Sequence, residues 1–325
     1  SGVQVYYRLR QLKQNEKPEP AELAGAAVNK EDPGASKIVE IVRTQVQDSE
    51  LIPANNPDYK KRDIDEIVKR YVNRQIPVLL IGEAGTGKTE TAKQLAATLR
   101  LPFLRVACDD SAVLKEFIGR RELINGNTVF RTGLLIELSQ RPSVILIDEF
   151  NALPASKLFF LHELLDNRRI FIKDAKGGEV INLHNDCRII LACNPNGAKY
   201  SGTNKVNVAL VDRCAVVNVP ELNPSDFKEL FDCNNKQTTD ALKKFYIEVK
   251  RVIADQNLRV AFSIRAVKRI ADAIRNGDDI TEALAFGFYN SAYVTASDKE
   301  RDALEQIAKV CFGLSVYDNN KNGSY

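Results

Sequence analysis

Short apolar runs alternate with segments of helical spacing through the middle of the chain. Val78–Ile81, Phe103–Ala107, Val144–Ile147, Ile189–Cys193 and Ala215–Val219 are brief and mostly apolar, the pattern of strands covered on both faces. Between them apolar residues recur at three- and four-residue steps, as at Ala92, Leu95, Ala96 and Leu99. The alternation predicts an α/β fold, a parallel sheet with helices on both faces. Beyond Pro220 the strand pattern stops. Leu242, Phe245, Tyr246, Val249, Val252 and Ile253 predict one helix, and Ile264, Val267, Ile270 and Ile274 another. With further helices expected over 279–293 and 298–312, a small all-α domain closes the chain. Ahead of the sheet, Ile38, Ile41, Val42 and Val46 predict a short amphipathic helix, and Ile64, Ile67, Val68 and Tyr71 predict one over 63–73. Residues 1–35 are polar and interrupted by Pro18, Pro20 and Pro33, the composition of a partly disordered extension. The expected divisions are an extension over 1–50, an α/β domain over 51–221, a helical domain over 222–315 and a tail over 316–325.

Composition narrows the class. A hydrophobic content of 44% and a charged content of 27% in 325 residues are ordinary for a soluble globular protein. A net charge of +3 is too mild to argue for nucleic acid, although it leaves a local basic face open. No apolar stretch approaches the ~18 residues of a membrane span, so no membrane partner is expected. The six cysteines, with only two histidines, lack zinc-binding spacing. They read as reduced core cysteines of a cytoplasmic protein.

The chemistry is concentrated in VLLIGEAGTGKT, residues 78–89. A buried strand runs into the phosphate-binding pattern GxxxxGK[ST], and helical spacing follows it. Glycines let successive backbone N–H groups curl around phosphate oxygens, and the helix N-terminus adds its positive end. We assign Gly82, Glu83, Ala84, Gly85, Thr86, Gly87, Lys88, Thr89 and Glu90 to a nucleoside triphosphate site. Lys88 is expected on the β- and γ-phosphates and the Thr89 hydroxyl on Mg²⁺. VILIDEF (144–150) ends a strand in two carboxylates, suiting Asp148 to the metal shell and Glu149 to the attacking water. A solvated loop start is the bland alternative. Asn194, after the strand Ile189–Cys193, suits a hydrogen bond to that water or to the γ-phosphate, or merely starts a turn before Pro195. Arg213 is either an ion-pair partner of Asp212 or a finger reaching a neighbouring subunit. Arg265 either begins a solvated helix or touches the γ-phosphate from the second domain.

Together these motifs resemble the AAA+ ATPases, and within them the MoxR-like, helix-2-insert group, which is similar to dynein-related and chelatase-type subunits. The resemblance covers roughly residues 50–310, on the P-loop NTPase sheet and helical lid of that group. It makes GEAGTGKT the Walker A motif and VILIDEFN the Walker B motif, with Glu149 catalytic. Asn194 falls at sensor 1, Arg213 at the arginine finger and Arg265 at sensor 2. EFIGRRELINGNTVFRTGLL (116–135) looks like the helix-2 insert, and RRIFIKDAKGGEVINLHNDCRII (168–190) like the hairpin before sensor 1, with Gly177–Gly178 as its turn. Cys214 departs from the phenylalanine that commonly follows the finger.

The resemblance implies Mg²⁺-dependent ATP hydrolysis by a homo-oligomer, usually a hexameric ring, that remodels or matures an unidentified client protein. Two other readings stand beside it. One is a DNA-acting ATPase gripping nucleic acid with basic residues of the hairpins, namely Arg120, Arg121, Arg131, Arg168, Arg169, Lys173 and Lys176. The other is an assembly scaffold switched by ATP with little turnover.

Overall fold

Five of the apolar runs lie side by side as one parallel sheet. The structure is a computed structural model, and it describes residues 40–45, 47–108, 117–153, 159–172, 178–195, 208–224, 228–256, 258 and 260–316. Its strands are β1 (Glu40–Val42), β2 (Val78–Ile81), β3 (Phe103–Ala107), β4 (Gly119–Ile124), β5 (Asn127–Thr132), β6 (Ser143–Asp148), β7 (Arg169–Ile172), β8 (Glu179–Asn182), β9 (Cys187–Cys193) and β10 (Ala215–Asn218). The main sheet has the order β10-β2-β9-β6-β3, with every pairing parallel. Asn194 therefore follows the strand between the phosphate-loop strand and the carboxylate strand. β9 stands between β2 and β6.

Alternation along each strand splits the core in two. Leu79, Leu104, Val106, Ile145, Ile147, Ile189 and Leu191 point to one face, against the helices Leu134–Ser139 and Phe159–Asp166. Leu80, Val144, Leu146, Ile190 and Ala192 point to the other, against Val68 and Val72 of helix Asp63–Asn73 and Ala92, Leu95 and Ala96 of helix Lys88–Leu99. Leu80 and Leu146 are fully buried; truncating such a residue to alanine costs about 2–5 kcal/mol.

The helical domain has a separate core. Phe231, Leu242, Phe245, Val249, Val267, Ile270, Phe288 and Leu304 are buried together. Phe245 meets the rings of Phe262, Phe288, Tyr289 and Phe312 at centroid separations of 5.6–6.1 Å. The region expected as one helix over 279–293 comprises Ile280–Leu284, a π-helical turn at Ala285–Tyr289 and Asn290–Thr295.

Two hairpins leave the sheet. β4 and β5 pair antiparallel across Asn125-Gly126, both at positive φ, 51° and 81°, as a tight two-residue hairpin turn requires. β7 and β8 also pair antiparallel; the Gly177 half of their expected turn lies outside the described residues. The helix expected through Ile41 and Val42 is a strand instead, while Ile38 and Val46 lie outside the described residues. β1 pairs parallel with β5. Thr44 N–H donates to Thr132 Oγ1 at 3.0 Å, and the Thr44 hydroxyl donates to the Thr132 carbonyl. Arg43 donates to Gln140 Oε1 at 2.6 Å and lies 3.6 Å from Glu179 of β8. The segment thus extends the first hairpin and reaches the second. β-branched Ile41 and Val42 suit this sheet edge as well as they suit a helical stripe.

Candidate nucleotide site

The phosphate loop leaves the C-terminal end of β2, where parallel α/β sheets place their ligands. It bounds a cavity of about 430 Å³ whose lining includes Gly85, Lys88, Thr89, Asp148, Glu149, Asn194 and Arg265. Gly85 has φ +85°, and a Cβ there would stand 2.9 Å from Ser263 Cβ and 3.4 Å from Ile264 N. The loop therefore touches the start of helix Ile264–Arg275, and only a glycine fits that approach.

Lys88 is buried, 8% exposed. Its Nζ donates to the Gly82 carbonyl at 2.6 Å, the Glu83 carbonyl at 3.0 Å and Asn194 Oδ1 at 3.0 Å. Burial pushes the lysine pKa down, and Asp148 opposes that shift. Asn194 is thereby tied to the phosphate lysine. Beneath it, burial pushes the Cys193 thiol up to about 11.

Asp148 ends β6 at 3% exposure. Its Oδ2 accepts the Thr89 hydroxyl at 3.0 Å and Arg105 Nε at 2.7 Å. Glu149 follows in a left-handed backbone conformation, φ 56°, and its side chain is exposed to the cavity. A non-glycine residue held there costs roughly 1–2 kcal/mol, and such strain gathers where a side chain must be aimed.

Arg265 is exposed on the same cavity, one helical turn before Lys268. Arg213 does not line it. Its Nε lies 2.6 Å from Asp166 Oδ1, and it also donates to the Ala209 carbonyl. Of the two readings of Arg213, the ion pair with Asp212 gives way to one with Asp166, at the end of helix Phe159–Asp166.

Other residues enter the site unannounced. Arg62 donates to the Thr86 carbonyl at 2.9 Å and to Thr91 Oγ1 at 2.8 Å, bracing the loop from outside. Asn56, Asp58, Tyr59 and Lys60 form one wall with Leu222 and Leu230, and burial pushes Tyr59 up to about 12. The one sequence signal among them is Arg105, a charge inside the otherwise apolar strand FLRVA.

Comparison with known proteins agrees with this geometry. Residues 77–214 match the family described as AAA domain (dynein-related subfamily). Midasin of Dictyostelium discoideum is 28% identical over 172 residues, 52% of this chain and 3% of midasin. Protein CbbQ of Hydrogenophilus thermoluteolus is 31% identical over 41% of this chain and 49% of its own length. Protein NorQ of Paracoccus denitrificans (strain Pd 1222) is 36% identical over 32% of this chain and 39% of its own length. The chain thus spans less than half of each of these three relatives. A phosphate loop, a paired Asp-Glu strand end and an asparagine strand between them, all inside the matched segment, make residues 77–214 an AAA domain of the dynein-related subfamily.

Proposed function

We propose that the chain is a Mg²⁺-dependent ATPase of MoxR-like type, working in the cytoplasm as a ring of identical subunits that remodels a partner protein or complex. The observation that carries the hydrolytic part is the convergence of Lys88, Asn194, Asp148 and Thr89 on one cavity, with Glu149 aimed into it. The Thr89 hydroxyl and Asp148 carboxylate offer the hard oxygen donors that Mg²⁺ takes. Among the described residues no cluster of three or more His, Cys, Asp or Glu could hold a metal without help. A magnesium ion arriving on nucleotide phosphates would neutralise phosphate charge when bound.

The protein's own groups account for the remaining work. Loop N–H groups and Lys88 receive the phosphates, with Lys88 giving up its carbonyl contacts for phosphate oxygens. Asn194, already on Lys88, is within reach of the same oxygens. Glu149 accepts a hydrogen bond from the attacking water and draws off its proton as the γ-phosphoryl bond breaks. Arg265 faces the phosphates from the helical domain.

Ring formation draws its support from Arg213. It stands off its own chain's cavity, paired with Asp166, which is consistent with a finger reaching the site of an adjacent copy. The DNA-gripping alternative gains no such support. Arg120 and Arg131 share Glu122, and Arg169 pairs with Glu163. Lys173 and Lys176 lie outside the described residues.

Phosphate release from Mg²⁺-ATP by the full chain, followed with assembly mass over a range of protein concentrations, tests the proposal. Specific activity should rise as larger assemblies form. Absence of release at every concentration, or a constant rate from a monomer, refutes it.

A further inference from the structure

Arg105 is a charged residue at the site that none of the motifs accounts for. It sits on β3, the edge strand, where Leu104 and Val106 enter one core while Phe103 packs on the opposite face. Strand alternation puts Arg105 on Phe103's side, which helix Lys88–Leu99 covers through Ala92, Leu95 and Ala96. Thr89 opens that helix, so the guanidinium and the hydroxyl meet Asp148 on the same face of the sheet.

Both donors use one oxygen. Arg105 Nε is 2.7 Å, and Thr89 Oγ1 3.0 Å, from Asp148 Oδ2. Asp148 is nearly buried, its side chain 5% exposed, whereas that of Arg105 is 31% exposed and lines the cavity. The mundane role, neutralising a buried carboxylate, is real, because an uncompensated buried charge is costly. It does not account for the whole placement. The carboxylate that Arg105 neutralises is the one proposed to draw a divalent cation, and the guanidinium occupies a lone-pair direction of the same oxygen.

We propose that Arg105 is a positioning residue that sets the metal affinity of this site. It holds the Asp148 carboxylate on Thr89 while the site lacks a cation, and competes with the divalent ion for Oδ2. The inference rests on the nucleotide reading of the site and deepens it. The guanidinium is permanently charged and bidentate in reach, so the competition persists at every ordinary pH. It gives way only when the ion arrives with the additional charge of phosphates. Metal capture is thereby coupled to nucleotide capture.

The test is a divalent titration on the full chain. Binding of a fluorescent ATP analogue is measured in EDTA and then across Mg²⁺ and Mn²⁺ concentrations, for the native protein, Arg105→Gln and Arg105→Lys. Removing a unit charge beside the ion should lower the half-saturating metal concentration of Arg105→Gln by about tenfold, while Arg105→Lys, which keeps the charge, stays within about threefold of native. In an Asp148→Asn background, Arg105→Gln should shift the metal dependence no further. A thermal melt checks that each variant is folded, and Arg105→Met carries the charge-removal test if Arg105→Gln is not. An unchanged or raised half-saturating concentration in folded Arg105→Gln overturns the inference while native nucleotide binding stands. An equal shift in the Asp148→Asn background overturns it as well. Failure of the native protein to bind the analogue at any metal concentration removes the nucleotide reading and the inference together.

Discussion

Gly85→Ala isolates the contact that joins the phosphate loop to the helical domain. The native φ is +85°, which costs an alanine about 1–2 kcal/mol in the left-handed region. The new Cβ would also stand 2.9 Å from Ser263 Cβ, a clash that overpacking data put at about 1–3 kcal/mol. The two costs are separable. Ser263 is the N-cap of helix Ile264–Arg275 but makes no side-chain capping hydrogen bond, so Ser263→Gly alone loses only a few tenths of a kcal/mol. Gly85→Ala should therefore lose about 2–5 kcal/mol by urea unfolding, and Ser263→Gly in that background should restore about 1–3 kcal/mol of it. Binding of a fluorescent ATP analogue should follow the same order, because Ile264 and Arg265 line the cavity just beyond the contact. A Gly85→Ala protein as stable as native refutes the approach distance. Equal loss with and without Ser263 refutes the clash, leaving only the backbone cost.

Three further outcomes are expected. Glu149→Gln should bind ATP normally and release phosphate at least about a hundredfold more slowly; near-native turnover removes Glu149 from the role of base. Arg213→Ala should keep nucleotide affinity and lose most turnover at concentrations where the native chain assembles; full kcat there detaches Arg213 from any site. Cys193, fully buried, has its thiol raised from 9.0 to about 11 by burial. Its folded pKa lies above the unfolded one, so its contribution is complete below pH 9 and is lost as pH climbs through about 11. The loss amounts to about 3 kcal/mol, and Cys193→Ala should flatten that part of the alkaline unfolding curve. Parallel curves for the two proteins contradict it.

Sheet, helical domain and phosphate loop were legible in the sequence because their signals are local. Glycines at 82, 85 and 87, a lysine and a threonine within eight residues specify a loop without reference to anything distant. The strand at Glu40–Val42 was not legible. Ile38, Ile41, Val42 and Val46 fit a helical stripe, and only β5, whose Thr132 bonds Thr44 across 88 positions, decides otherwise. Arg213 shows the same limit. Its neighbour Asp212 was the nearest carboxylate along the chain, yet the turn after helix Val208–Val211 directs the guanidinium to Asp166. Arg105 was visible as a charge inside an apolar strand, but its meaning needed the strand order, which sets β3 beside β6 with Ala107 opposite Asp148.

The strand order also bears on how nucleotide energy would be used. The buried clusters of the α/β and helical domains share no residue, so no common apolar core welds the two. Among the described residues the ties between the two include the ion pairs Lys60–Glu229 and Lys250–Glu221, the latter at 2.5 Å. Lys60–Glu229 at 2.7 Å has both side chains about half exposed, 42% and 54%, and such a pair contributes about 1 kcal/mol or less. At Gly85 the phosphate loop also comes close to Ser263 and the Ile264 backbone. A triphosphate bridging Lys88 on one side and Arg265 on the other brings charge-assisted hydrogen bonds at roughly 1.5–3 kcal/mol each. Two such bonds already exceed the exposed ion pair. Under the proposed function the position of the helical domain would be set at the phosphates rather than in either core, and cleavage of the γ-phosphoryl bond would remove the group that Arg265 is proposed to face. In the proposed ring, that release would fall beside the neighbour whose Arg213 is proposed to complete the site, and would loosen a subunit boundary as well.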